Sequence, residues 1–257
     1  MSNPVFFAPV GALDDLAPGA EFVLEGIEAR HAITVKRLAP GEAVDIADGA
    51  GKRLTGTVSH ANGGSLTVLA SELVEEPQPS VRLVLVQALA KGDRDELAIE
   101  TATELGVDAV IPWQAERSIV RWKGERAAKA HAKWQSVVTA AAKQARRAWI
   151  PEVRNAVDSS GLAKAVEVAG LAIILHEAAK TRLRDILQAW DGALAAEAEL
   201  PREVLLIVGP EGGISPREVT RLCDAGAVTA LLGSHVLRSS TAGPAAVVLA
   251  SDVLGRW

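Results

Sequence analysis

The segment Leu205-Leu206-Ile207-Val208-Gly209-Pro210-Glu211-Gly212-Gly213-Ile214-Ser215-Pro216-Arg217-Glu218 narrows the possible folds more than any other part of the chain. Its apolar start has the length of a buried strand, and its glycines let backbone N–H and C=O groups meet a ligand without Cβ interference. Its end carries helix-start signals: Ser215 as N-cap, Pro216 as first helical residue and Glu218 as the returning member of a capping box. A flat ligand against this loop is the functional expectation. The pattern is neither G-x-G-x-x-G nor G-x-x-x-x-G-K-[ST], so it predicts neither a dinucleotide nor a triphosphate site.

With 257 residues, 49% hydrophobic and 23% charged, the chain holds enough apolar material for one large domain or two smaller ones. No apolar run approaches the roughly 18 residues that span a bilayer, and no basic-then-apolar leader opens the sequence, so a cytoplasmic location is expected. The single cysteine, Cys223, excludes an intramolecular disulfide and is expected to be a small core residue on a helix. His31, His60, His131, His176 and His235 lack metal-ligand spacing, so no metal is expected.

The net charge of −5 argues at first against a nucleic-acid partner. The average conceals a local excess. From Arg117 to Arg154 ten basic residues face only two acids, Glu125 and Glu152, a balance of +8. On one predicted helix, Arg126, Lys129, Lys133, Lys143 and Arg147 fall within an arc of about 100°. Such a stripe is either a solvated face or a surface for an anionic partner, and the scarcity of acids favours the partner.

The first 75 residues are β-rich, with strands predicted at Glu21 to Leu24, Ala43 to Ala47, Leu54 to Ser59 and Ser65 to Leu73, and a small barrel is the simplest arrangement. Residues 76–80 have linker composition. Residues 81–257 then alternate strands and helices, which implies a mainly parallel sheet with helices on both faces. Strands are expected at Val81 to Ala88, Asp108 to Pro112, Leu171 to Leu175, Val204 to Val208 and Val228 to Leu232. Helices are expected at Asp93 to Leu105, Glu125 to Ala148, Arg182 to Ala189, Pro216 to Ala225 and Thr241 to Leu254. Asp93 and Glu96 have capping-box spacing, and Gly106 is the stop signal of the first of these helices. Ligands of such sheets sit beyond the carboxyl ends of the strands, where the glycine loop falls.

A second strand-to-helix loop runs from Leu232-Gly233 through Leu237-Arg238 to Ser240-Thr241-Ala242. Together with Gly209 to Gly213 it resembles the cofactor loops of the SPOUT superfamily of RNA methyltransferases, specifically the family that methylates N3 of a uridine in 16S ribosomal RNA. Lys91, Asp93-Arg94, Glu96 and Thr103 to Val107 resemble that family's first motif, and Glu116-Arg117-Ser118 its second. Gln144, Arg147 and Pro151 match a third. Upstream, His31, Val35, Arg37, Gly41 and Asp48-Gly49 are similar to its N-terminal PUA-like domain, so the likeness covers nearly the whole chain. The sequence departs from the family's usual glutamate at Ser240, from its arginine at Val5, and from its Glu-Gln-Ser-Gly-Arg run at Lys143 to Arg147.

The resemblance implies a PUA-like RNA-binding domain over 1–75 and a trefoil-knotted methyltransferase domain over 81–257, with S-adenosylmethionine as cofactor and a homodimer as the working form. It implies cofactor contacts from Leu175, His176, Glu177, Val208, Gly209, Pro210, Glu211, Gly212, Gly213, Leu232, Gly233, Leu237, Arg238, Ser240, Thr241 and Ala242. Ribosomal RNA, free or in the small subunit, would be held by Arg117, Arg121, Arg126, Lys129, Lys133, Arg146 and Arg147, which grip phosphates rather than read bases. Methyl transfer from a sulfonium needs alignment and a dry pocket. Uracil N3 must lose its proton, so a cation beside the base stabilises the charge that develops, and Arg238 is the candidate catalytic residue. Glu211 has a second possible role as a loop cap. His176 is either a proton acceptor or structural. Ala242, Ala245, Ala246, Leu249 and Val253 suit a dimer contact or packing within their own domain. An enzyme of the same superfamily with a ribose 2′-oxygen or another base as target, and a non-catalytic RNA-binding assembly protein, are the alternative readings.

Overall fold

The computed structural model describes residues 3–194 and 202–257. Two compact units divide the chain: Met1–Gln78 with Ala142–Ile150, and Pro79–Ala141 with Pro151–Trp257.

The first unit is built on a five-stranded sheet of β1 (Val5–Phe7), β2 (Glu21–Glu25), β3 (Ala43–Ala47), β4 (Lys52–Asn62) and β5 (Ser65–Glu75), ordered β1-β3-β4-β5-β2. Two register shifts, at Thr55/Gly56 and Val58/His60, curl the long β4–β5 pair. Gly56 is required at the first of these, because a Cβ there would meet the Leu69 carbonyl at 2.5 Å. Phe6, Leu24, Ile46, Leu54, Leu66 and Val68 form the core. Between β2 and β3 lie a short helix, α1 (Gly26–Arg30), and a π-helical turn at His31–Val35. The segment Ala142–Ile150, which the sequence assigns to the second domain, packs in this unit. Trp149 Nε1 donates to the Glu76 carbonyl at 2.8 Å, and the Trp149 ring occupies the space over Gly51.

In the second unit β6 (Val81–Ala88), β7 (Ala109–Gln114), β8 (Glu152–Val153), β9 (Val157–Asp158), β10 (Leu171–Leu175), β11 (Arg202–Val208) and β12 (Val228–Ala230) form one parallel sheet. The order is β12-β10-β11-β6-β7-β8, with β9 also on β7. The unbroken apolar runs of β6 and β11 bury both faces, as a covered parallel sheet demands. One face, Val84, Val86, Ile111 and Trp113, packs on α4 (Ser159–Val168) and α6 (Pro216–Asp224). Against the other lie α2 (Arg94–Glu104) and α7 (Ser239–Val253), the latter also touching α5 (Leu183–Leu194). Gly243 of α7 permits this approach, because a Cβ there would stand 2.9 Å from Leu85 Cδ1.

Four local expectations are corrected. Asp93 does not cap α2: its φ is +57°, its side chain makes no cap bond, and its carboxylate faces Lys133 instead. The helix α3 spans Glu125–Gln144 rather than reaching Ala148, because Arg146 turns left-handed (φ +58°) and sends Ala148 and Trp149 into the first unit. Strand β12 stops at Ala230, releasing Leu231 and Leu232 to the following loop. Cys223 is exposed; its helical neighbour Leu222 takes the inward position. No described helix is long and apolar enough to cross a membrane.

Candidate active site

Strands β12, β10 and β11 are neighbours, so the loops that leave their carboxyl ends converge. They enclose a cleft of about 1050 Å³. The loop after β10 brings Leu175, His176 and Glu177, and the loop after β11 brings Val208 through Ile214. The loop after β12 contributes Leu231 through Ser239, and Ala242 follows on the first turns of α7. Of the residues expected at a cofactor, all but Ser240 and Thr241 line this cleft. Arg94, Ile214 and Ser239 line it too, although the sequence reading of the cofactor site omits them. Ser239 was within reach of that reading, as the first helical residue after Arg238.

The glycine loop is held rigid by close packing. A Cβ on Gly209 would lie 2.5 Å from Ile214 Cγ1, the Gly213 amide donates to the Pro210 carbonyl at 2.8 Å, and Gly213 sits at φ +72°. The α6 capping box forms as expected, Ser215 Oγ accepting from the Glu218 amide and Glu218 from the Ser215 amide, both at 3.1 Å. Glu218, 1% exposed, also accepts from the Glu116 amide at 2.8 Å and from Ser159 Oγ at 2.5 Å. Ser215 Oγ donates in turn to Glu116 Oε2 at 2.7 Å. This hydroxyl, helped by Arg217, holds the Glu116 carboxyl below the ordinary carboxylate range.

That lattice places Arg117 beside the glycine loop, where its NH1 donates to the Gly212 carbonyl at 3.0 Å. Arg94 pairs with Glu211 at 3.0 Å, so Glu211 spends its charge on a neighbouring element. His176 Nδ1 accepts the Ala178 amide at 3.1 Å. With that lone pair engaged, the neutral ring carries its proton on Nε2 and is a donor there. Arg238 is exposed at the mouth of the cleft and has no ion pair among the described residues.

The other expected cations divide by environment. Arg121 donates to the carbonyls of Gln114 (3.2 Å) and Glu116 (2.8 Å), and Lys133 is paired with Glu96 at 2.6 Å. Arg126 and Lys129 are exposed on α3, and Arg146 is exposed in the turn beyond it; Arg147 is half-buried. Lys143 is drawn inward within the first unit, donating to Glu28 at 2.7 Å and lying 4.6 Å from the centre of the Phe6 ring. The stripe is therefore shorter than its sequence spacing suggests. Among the described residues no three His, Cys, Asp or Glu side chains gather as metal ligands.

Comparison with known proteins extends this geometry. A family model described as an RNA methyltransferase domain matches residues 76–251, and one described as an RNA methyltransferase PUA domain matches residues 24–70. Ribosomal RNA small subunit methyltransferase E of Mycobacterium bovis is 41% identical over 93% of this chain and 89% of its own length. A Legionella pneumophila protein solved as a methyltransferase in complex with the bound cofactor SAM is 27% identical, with a TM-score of 0.81 and 98% of each chain covered. Ribosomal RNA small subunit methyltransferase E of Neisseria gonorrhoeae, bound to S-adenosyl methionine, is 25% identical with a TM-score of 0.79, again with 98% of each chain covered.

Proposed function

Because the chain belongs to the RNA methyltransferase family whose domain model spans most of its length, we propose that it transfers the methyl group of S-adenosylmethionine to N3 of a uridine in 16S ribosomal RNA. The observation that carries this reading is the cleft built from three adjacent strand ends and walled by backbone-presenting glycines. Its residues suit the cofactor: Gly209 has no room for a side chain, and Ser239 offers a buried hydroxyl without a protein partner. Bound there, S-adenosylmethionine would supply a methyl group made electrophilic by its sulfonium.

The chain's own groups do the rest. Gly209, Gly212, Gly213 and Gly233 leave peptide edges open to an adenosine, with Leu175, Val208, Leu232, Leu237 and Ala242 as apolar walls, while Pro210 stiffens the turn. Arg117 and Arg94 hold Gly212 and Glu211 in place. Ser240 and Thr241 act through the first turn of α7. Arg238 supplies positive charge next to the base as N3 loses its proton. His176 donates from Nε2 and orients an acceptor. Arg126, Lys129 and Arg146 contact RNA phosphates, with Arg117, Arg121, Lys133 and Arg147 contributing less because they have partners within the protein. Ala242, Ala245, Leu249 and Val253, half-buried on α7, serve a homodimer contact, whereas Ala246 is buried in its own chain. Action on ribosomal RNA is consistent with the cytoplasmic location expected from the sequence.

Calorimetric titration with S-adenosylmethionine tests the cofactor, and an absence of saturable binding refutes it. Mass mapping of 16S ribosomal RNA nucleosides from a deletion strain tests the target. An N3-methyluridine signal that persists unchanged would exclude this assignment.

A further inference from the structure

Strand β7 leaves the sheet at Gln114 and enters a loop that closes on itself before α3 begins. The Trp122 amide donates to Gln114 Oε1 at 3.0 Å, and the Arg121 guanidinium reaches the carbonyls of Gln114 (3.2 Å) and Glu116 (2.8 Å). Ser118 and Trp122 take the inward positions, Trp122 lying edge-on to buried Trp134 with ring centres 5.3 Å apart. The outer arc carries Ile119, 78% exposed, among Arg117, Arg121 and Lys123, with no acid from 117 to 123. Arg117 and Arg121 bond carbonyls, which occupy N–H groups without cancelling the charge. A lone exposed isoleucine is ordinary on a protein surface. This one is stiffened by its β-branch, fixed on a closed loop, and two residues from Arg117, which walls the cleft. Its Cα is therefore within about 7 Å of that of Arg117, while Ile119 itself is not among the cleft's lining residues.

We propose that Ile119 is a wedge that enters the RNA stack beside the nucleotide being methylated and fills the gap left by the departing base. This rests on the function proposed above, in which the uracil edge enters the cleft. A base that reacts on its Watson–Crick edge must leave its stack, at a cost in stacking energy. An apolar side chain pushed between bases takes over that contact and keeps water out of the opened step. Cations on both sides of Ile119 along the chain suit the phosphates that flank such a step and fix the strand's position. The closed loop holds the side chain in place against the stack it pries apart, as a site on a rigid element does.

Acylation of ribose 2′-hydroxyls, mapped along 16S ribosomal RNA from a deletion strain with and without the full chain, reveals opened nucleotides wherever they lie and needs no methyl transfer. The wild-type chain is expected to open the nucleotides beside one uridine. Ile119→Ser is expected to lose at least about tenfold both in that opening at saturating protein and in the single-turnover methylation rate, with RNA affinity within about threefold and S-adenosylmethionine affinity unchanged. Ile119→Leu keeps an apolar body and is expected to restore both. In a synthetic fragment carrying the same uridine, an abasic neighbour is expected to rescue the serine variant, because no stack remains to be broken. A serine variant that opens and methylates the RNA like wild type overturns the wedge. So does one whose cofactor affinity falls with its rate, since Ile119 then only supports the loop of Arg117. Methylation by a wild-type chain that opens no nucleotide overturns it too. Opening that depends on Ile119, without any N3-methyluridine formed, overturns the N3 assignment alone.

Discussion

Replacing Glu218 with alanine is predicted to destabilise the second unit by about 3 kcal/mol, because three donors lose their acceptor at once. These are the Glu116 amide at 2.8 Å, Ser159 Oγ at 2.5 Å and the Ser215 amide at 3.1 Å. Glu218 and the Ser159 and Ser215 residues are buried, so water does not readily replace the lost carboxylate. Each stranded donor costs at least about 1 kcal/mol. Glu218→Gln keeps one carbonyl for two of the donors and turns an amide N–H against the third, so it is predicted to cost about half as much. Urea unfolding reads the difference: with a slope of about 3 kcal/mol/M, the alanine midpoint falls by about 1 M. Affinity for S-adenosylmethionine falls as well, since the Glu116 amide anchors the loop that presents Arg117 to Gly212. An alanine midpoint within about 0.3 M of wild type, or a glutamine variant as damaged as alanine, refutes this account.

The remaining predictions concern charge and close packing. Arg154 bonds Glu203 and thereby lowers its carboxyl below the ordinary 4.5, so that stabilisation is complete above the unfolded value and is lost as pH falls through the folded one. Arg154→Met is therefore expected to flatten the acid limb of stability below about pH 4.5, and equal acid sensitivity in urea melts at neutral pH and pH 3 sinks the assignment. Gly209→Ala forces Ile214 from its seat and is expected to weaken S-adenosylmethionine binding about tenfold, equivalent to about 1.4 kcal/mol of overpacking; calorimetry showing wild-type affinity contradicts it. The Arg126→Glu, Lys129→Glu double variant is expected to lower the salt slope of RNA binding by at least about 1.4, at about 0.7 per phosphate contact. Lys133→Glu, starting from a paired lysine, is expected to change it less, and an equal change shows that the Glu96 pairing is irrelevant.

How much the sequence reveals depends on whether the deciding contacts are local. Ser215, Pro216 and Glu218 write a helix start within four residues, and β10 is read at Leu171–Leu175 because a buried strand needs nothing beyond its own apolar run. The same D-x-x-E spacing misleads at Asp93, where a distant lysine takes the carboxylate and Asp95 supplies an acceptor to the Ala90 amide instead. The end of α3 is equally non-local: Lys143 to Arg147 has helix-forming composition, yet Lys143 is claimed by Glu28 and Arg53 reaches the Arg146 carbonyl at 2.8 Å. Cys223 fails for a simpler reason, since one helical position separates an inward Leu222 from an outward neighbour and a short helix fixes its phase weakly in sequence. Both loops that line the cleft are legible through glycines and strand ends. The free hydroxyl of Ser239 is not, because an absent partner leaves no pattern.

If the proposed N3 methylation is correct, the turn at His176 argues against this ring as the acceptor of the N3 proton. Nδ1 accepts the Ala178 amide at 3.1 Å, so protonating the ring there costs that bond, and Nε2 already carries hydrogen in the neutral form. Asparagine at this position offers Oδ1 to the amide two residues on, as Asx turns do, and keeps the loop after β10 in shape without a titrating group. His176→Asn is therefore predicted to retain methylation within about threefold, with the pH dependence of the rate unmoved, whereas His176→Leu loses the turn bond, at about 1 kcal/mol, and with it cofactor affinity. Rate profiles of the two variants between pH 6 and 10 make the comparison. An asparagine variant that binds S-adenosylmethionine normally but loses more than about a hundredfold in rate would return His176 to the role of proton acceptor, and Arg238 would no longer account for how the uracil anion becomes accessible.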